Sequence, residues 1–197
     1  MRLVVITQPG FRAGEAETIR ELLDGGIDRV HLRKPFAPEA AMRRLLDRLD
    51  PAVLPRITLQ DCLGLAAEYG AGGVHLNARH PEPPQGFRGL VSRSCHSLEE
   101  LEEHAADDYL FLSPIFDSIS KVGYTARFTA ESLLEAAARG IVNDRVLALG
   151  GVRPEYLPRI RAYGFGGAAT MGCIWQPADA GTRSATLGAS RENRNTK

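Results

Sequence analysis

Cysteine is scarce in this chain and scattered. Cys62, Cys95 and Cys173 form an odd set with no CxxC pair, so neither a disulfide framework nor a zinc site is suggested. Charge of one sign is not in excess either: 24 Lys and Arg stand against 24 Asp and Glu. That balance argues against partners recognised by a broad basic face, and neither nucleic acid nor a membrane surface is expected. No apolar run approaches the ~20 residues that cross a bilayer. The first run, LVVIT (3–7), is too short for the core of a signal peptide and reads as a strand, which suggests a cytoplasmic protein. No GxGxxG follows it. Large apolar residues nearly vanish after Trp175. The stretch QPADAGTRSATLGASRENRNTK has Leu187 as its only leucine and reads as a polar, disordered tail over 176–197.

What the chain does have is a succession of short apolar runs. They are LVVIT (3–7), RVHLR (29–33), ITLQ (57–60), GVHL (73–76), GLVSRS (89–94), YLFLS (109–113), RVLALG (145–150) and GAATMG (167–172). Between most of them lie stretches with apolar residues at i, i+3, i+4 and i+7. Ala16, Ile19, Leu22 and Leu23 form one, and Ala41, Leu45, Leu46 and Leu49 a second. Leu98, Leu101 and Ala105 form a third, opened by Ser97 with Glu99 and Glu100 in its first turn. Leu133, Leu134, Ala137 and Ala138 follow with Thr129 as N-cap. Tyr156, Leu157, Ile160 and Tyr163 make the fifth, with Pro154 near its start and Gly164 just past its end.

Strands alternating with helices pair in parallel, and eight of them favour a closed (β/α)8 TIM barrel in one domain over 1–175. Two places break the pattern. NARHPEPPQGFR, after Leu76, is too rich in proline for a helix, so the fourth helix is replaced by a loop. The eighth helix is missing from the polar tail. The last strand and the first then share an uncovered gap, which a second copy of the chain would close in a homodimer.

Barrels keep their chemistry at the C-terminal ends of their strands. Those ends are polar here. Strand two finishes in His31, Arg33 and Lys34, strand three in Gln60 and Asp61, strand four in His75 and Asn77, and strand five in Ser92, Ser94 and His96. A period of two puts His31 with Arg33, His75 with Asn77, and Ser94 with His96 on common faces. Any one histidine would more often be a hydrogen-bonded core residue, but polar groups at nearly every strand end point to ligand contact. Strand six leads into SPIFDSISK (113–121), strand seven ends in Gly150-Gly151 and strand eight in Gly172. Glycines after strands seven and eight are where such barrels bring backbone N–H groups to a phosphate. Ser118 and Ser120 would add hydroxyls, and Lys121 a point charge.

With these ends in place the sequence resembles the thiamine phosphate synthase/TenI superfamily over residues 2–175. VHLRKP (30–35), LQDCLGLAAEYGAGGVHL (59–76), SRSCHSLEEL (92–101), DYLFLSPIFDSISK (108–121), ALGGV (148–152) and GFGGAATMGCI (164–174) carry the resemblance. It implies the same barrel and a transferase that joins a pyrimidine methyl diphosphate to a thiazole phosphate, with Mg²⁺ and release of pyrophosphate. On that reading Ser118, Ser120, Gly151 and Gly172 take the thiazole phosphate. Arg33, Lys34 and Lys121 hold the diphosphate, and Ser94 lies near the pyrimidine. Asp61 matches a metal-ligand aspartate, His75 the histidine of the family's GVHLG strand, and His80 stands where a second aspartate would complete the Mg²⁺ site. Departure of pyrophosphate leaves a benzylic-type cation, so such a site needs positive charge on the leaving group more than it needs a base.

Two departures open alternatives. Arg33 and Lys34 are adjacent where synthases space the two cations, and His80 is a poor Mg²⁺ ligand. The TenI branch, resembled in SRSCHSLEEL, isomerises a thiazole phosphate without metal, and His96 or His31 would then have to carry the proton. A non-catalytic phosphoester binder is the third reading.

Overall fold

A computed structural model of the 197-residue chain describes residues 1–117 and 127–171. Its eight strands close into one parallel barrel in chain order. They are β1 (Arg2–Ile6), β2 (Arg29–Leu32), β3 (Ile57–Leu59), β4 (Gly73–Leu76), β5 (Leu90–Cys95), β6 (Tyr109–Leu112), β7 (Val146–Ala148) and β8 (Gly167–Thr170). β1 pairs with β8 from Arg2 opposite Gly167 to Val5 opposite Thr170, which closes the ring.

The helices are α1 (Glu15–Asp24), α2 (Glu39–Leu46), α3 (Leu65–Tyr69), α4 (Leu98–Glu103), α5 (Ala130–Ala138) and α6 (Leu157–Ala162). α4 and α5 begin where their capping chemistry says. The Ser97 hydroxyl accepts from the Glu100 N–H at 3.2 Å, and that of Thr129 from the Ser132 N–H at 3.1 Å. The segment from Asn77 to Gly89 carries no helix, as its prolines require. The short α3 has no counterpart in the periodicity analysis, because a single turn and a half gives too few repeats to register. No helix among the described residues is long and apolar enough to cross a membrane.

Alternation along the strands divides the core in two. Val30, Leu32, Ile57, Leu59, Val74 and Leu76 point outward and bury α1 and α2 against the first half of the ring. Leu110, Leu112, Val146 and Ala148 do the same for α5 and α6 on the other half. Inside the barrel an apolar group of Val4, Ile6, Tyr109, Phe111, Leu147 and Ala169 meets a polar one. His31, Thr58, His75 and Ser92 are all buried there. The seam between β8 and β1 is an apolar groove lined in part by Leu3, Ile27, Val152, Leu157 and Ala168. The tail and the eighth crossover, 172–197, lie outside the described residues.

Candidate functional site

The polar half of the barrel interior is fully hydrogen-bonded. Gln60 Nε2 lies 3.0 Å from His31 Nδ1, and His31 Nε2 is 2.7 Å from the Tyr109 hydroxyl. Across the ring His75 Nδ1 meets Ser92 Oγ at 2.9 Å, and His75 Nε2 meets Ser94 Oγ at 3.0 Å. Ser92 donates its own hydroxyl proton to the Val74 carbonyl, so Ser92 Oγ is left to accept from Nδ1–H of His75. The network therefore assigns His75 Nε2 as the acceptor of the Ser94 hydroxyl proton.

Burial, far more than any neighbour, disfavours the charged form of both rings. It holds His31 well below the ordinary histidine value, with the nearby His75 and Arg29 adding to the effect. His75 is pushed down to about 3, by burial first and by Arg93 second. The expectation for His31 and His75 is contact with substrate. The structure corrects it: both rings are sealed in the interior with both nitrogens engaged, and they stand as neutral supports beneath the mouth. Ser94 is half-buried and is the member of the chain that faces the opening.

Arg33 and Lys34 part company. The Arg33 backbone N–H donates to Thr7 Oγ1 at 2.9 Å, while its guanidinium makes no hydrogen bond or ion pair among the described residues. The Lys34 ammonium is completely buried, 2.6 Å from Glu15 Oε1, 2.9 Å from the Gln8 carbonyl and 2.7 Å from the Gly10 carbonyl. An ammonium has three donors, and all three are taken. The diphosphate role expected of Lys34 is thus corrected to a structural one: it ties the loop after β1 to the end of β2. Opposite facing of adjacent residues at a strand end accounts for the split.

Asp61 stands at the end of β3, almost wholly buried, and its two oxygens are both engaged. Oδ2 accepts the Lys34 backbone N–H at 2.9 Å, and Oδ1 accepts from Arg79 Nη2 at 2.7 Å. Asn77 builds the turn that delivers Arg79. Its Nδ2 donates to the Gln60 carbonyl at 2.9 Å, and its Oδ1 accepts the N–H of Arg79 at 2.9 Å and of His80 at 3.3 Å. The backbones of Asn77 and His80 also pair with each other. Asn77, expected on the ligand, thus positions the loop, and His80 enters through its backbone. His96 is exposed, its Nδ1 3.2 Å from both the hydroxyl and the carbonyl of Ser113.

Gly150 and Gly151 have φ of 91° and 63°, which favour glycine. They also let strand seven approach the stem of the loop after β6. A Cβ on Gly150 would stand 2.9 Å from Pro114 Cα, and one on Gly151 would collide with the carbonyls of Phe116 and Asp117. The stem is fastened by Ile115 N–H to the Leu149 carbonyl and Phe116 N–H to the Gly150 carbonyl. SPIFD is therefore docked on the end of β7. Ser118, Ser120, Lys121 and Gly172 lie outside the described residues.

Arg79, whose role the sequence leaves ambiguous, and Glu15, to which it gives none, are the residues the structure adds. A signal existed for the first: Asn-x-Arg-His directly after a strand is an Asx-turn pattern. None existed for Glu15, which reaches Lys34 from a different element.

The Mg²⁺ implied by the resemblance finds a poor donor set. Asp61 is a single carboxylate already paired with a guanidinium, and Asn77 Oδ1 is committed to the turn. No group of three His, Cys, Asp or Glu among the described residues could hold a metal. Mg²⁺ is ordinarily held by one or two free carboxylates together with waters and phosphate oxygens, and the carboxylate here is already paired with Arg79.

Comparison with known proteins agrees with this architecture. The family model described as thiamine monophosphate synthase matches residues 3–174. A crystal structure of thiamine phosphate pyrophosphorylase from Bacteroides thetaiotaomicron superposes with a TM-score of 0.87 at 34% identity, covering 100% of both chains. A thiamine-phosphate synthase of Thermus thermophilus is 32% identical over 150 residues, 68% of this chain and 72% of the relative. One from Azorhizobium caulinodans is 28% identical over 185 residues, 88% of this chain and 86% of the relative.

Proposed function

The chain belongs to the thiamine monophosphate synthase family, and on that premise we propose that it is a thiamine-phosphate-synthase-type transferase. It would join hydroxymethylpyrimidine diphosphate to thiazole phosphate and release pyrophosphate. The observation that carries this reading is a mouth furnished with cations and hydroxyls above histidines that stay neutral. Such a site suits departure of a diphosphate better than it suits proton abstraction.

In the reaction the bond between the pyrimidine methylene carbon and the diphosphate oxygen breaks, and that carbon gains a bond to the thiazole nitrogen. Negative charge grows on the leaving oxygens. Arg33 brings the guanidinium that meets it, held at the strand end by the bond from its N–H to Thr7. The Ser94 hydroxyl, its proton given to His75 Nε2, presents its oxygen lone pairs to the amino group of the pyrimidine. The SPIFD stem (113–117) is docked beside Gly150-Gly151, and this favours the thiazole phosphate on that side.

The test is pyrophosphate release from the two substrates together, compared with each alone. A tautomerase would instead act on the thiazole phosphate alone, and His96, unlike the sealed His31, is exposed. Release that needs both substrates supports the transferase. Turnover of the thiazole alone, lost in His96→Ala, would replace it.

A further inference from the structure

The carboxylate of Asp61 at the end of β3 is almost wholly buried, its side chain 5% exposed, and it already has a cation. Arg79 Nη2 lies 2.7 Å from Oδ1, while the Arg79 side chain remains 40% exposed. Two further contacts, one of them through Asn77, hold the arginine there. Its backbone N–H is fixed by Asn77 Oδ1, Asn77 in turn is anchored to the Gln60 carbonyl beside Asp61, and the guanidinium lies 5.3 Å from the ring centroid of Phe36. Phe36 is 88% exposed with a φ of 61°, a conformation costly for a bulky residue, so its position over Arg79 is not one the backbone adopts by default. A guanidinium has five N–H donors in a planar fork, and among the described residues this one spends a single donor on Asp61. The rest are available to phosphate oxygens, which such a fork grips in pairs.

We infer that Arg79 is the resident cation of Asp61, and that this mouth binds a diphosphate through the Arg79 guanidinium rather than through a divalent metal. The inference takes the diphosphate as ligand from the transferase reading, but it concerns how the charge is met. A metal at Asp61 would have to displace Arg79 and would find no cluster of three His, Cys, Asp or Glu among the described residues to hold it. The arginine instead neutralises the buried acid and carries its remaining donors toward solvent.

The full chain tests this with two ligands used separately. Mn²⁺ titrated without phosphate, its free signal followed by electron paramagnetic resonance, should match buffer. A loss of free signal that Asp61→Asn abolishes would overturn the inference. Inorganic pyrophosphate, titrated by calorimetry in EDTA, should bind the unaltered chain, and Arg79→Ala should weaken it about tenfold or more. Equal affinity in Arg79→Ala, or no binding by the unaltered chain, would equally overturn it. Arg79→Ala leaves Asp61 unpaired, so its thermal midpoint is measured alongside. If that variant does not fold, Arg79→Lys, which keeps charge but not the fork, must still bind measurably weaker. The two readings fail separately. Metal-free pyrophosphate binding through Arg79 with no pyrophosphate release from the paired substrates would sink the transferase and leave the inference standing. Release that requires Mg²⁺, with Mn²⁺ bound at Asp61, would do the reverse.

Discussion

Three basic residues near the mouth have three different environments, and those environments decide what each can do. Arg33 is tied by its backbone N–H while its guanidinium makes no hydrogen bond or ion pair among the described residues, Arg79 is paired with Asp61 yet accessible, and Lys34 is sealed against Glu15. Arg33→Ala should therefore lower kcat/KM by about 100-fold with the thermal midpoint little changed, read by steady-state kinetics and a melting curve. The Lys34–Glu15 pair predicts the opposite pattern. Removing one partner strands a buried charge, so Glu15→Leu should cost about 3–5 kcal/mol in a denaturant titration. Adding Lys34→Met to it should recover most of that loss, because an apolar pair of similar volume needs no solvation. A synergistic rather than compensating double variant would contradict the structural role given to Lys34.

At the level of elements, strand positions were the most legible feature of the sequence. Each of the eight apolar runs overlaps a strand, since a strand buried on both faces reads as an unbroken hydrophobic run. Ser97 and Thr129 mark their helices because capping is local chemistry. The site was less legible. Period two correctly places His31, His75 and Ser94 inside the ring, but it carries no depth, so it could not separate Ser94 at the opening from His31 sealed beneath it. Lys34 and Arg79 depend on partners far away in the chain, Glu15 and Asp61, and no local pattern encodes such pairs. The glycines after β7 were legible as glycines, though their reason is partly packing. Gly151→Ala would set a methyl against the carbonyls of Phe116 and Asp117 at a φ of 63°. It should cost about 2 kcal/mol or more and weaken thiazole phosphate binding, checked by melting and by calorimetry.

On the scale of the whole molecule, the barrel holds two neutral histidines in its interior, and this ties its stability to pH. In the unfolded chain both would titrate near ~6.5. In the folded chain His75 is pushed down to about 3 and His31 also lies well below its ordinary value. Between these limits the unfolded state binds protons that the folded state refuses, so stability falls as pH drops below about 6.5. Both histidines act in the same direction, and His75→Gln should flatten the slope in denaturant titrations at pH 4.5 to 6.5. The same neutrality is what separates a leaving-group site from a proton-transfer site. The most direct test of that claim is pyrophosphate release from hydroxymethylpyrimidine diphosphate and thiazole phosphate mixed with the full chain. The account predicts release that needs both substrates and falls about 100-fold in Arg33→Ala. Bound thiazole phosphate with no pyrophosphate released would contradict it.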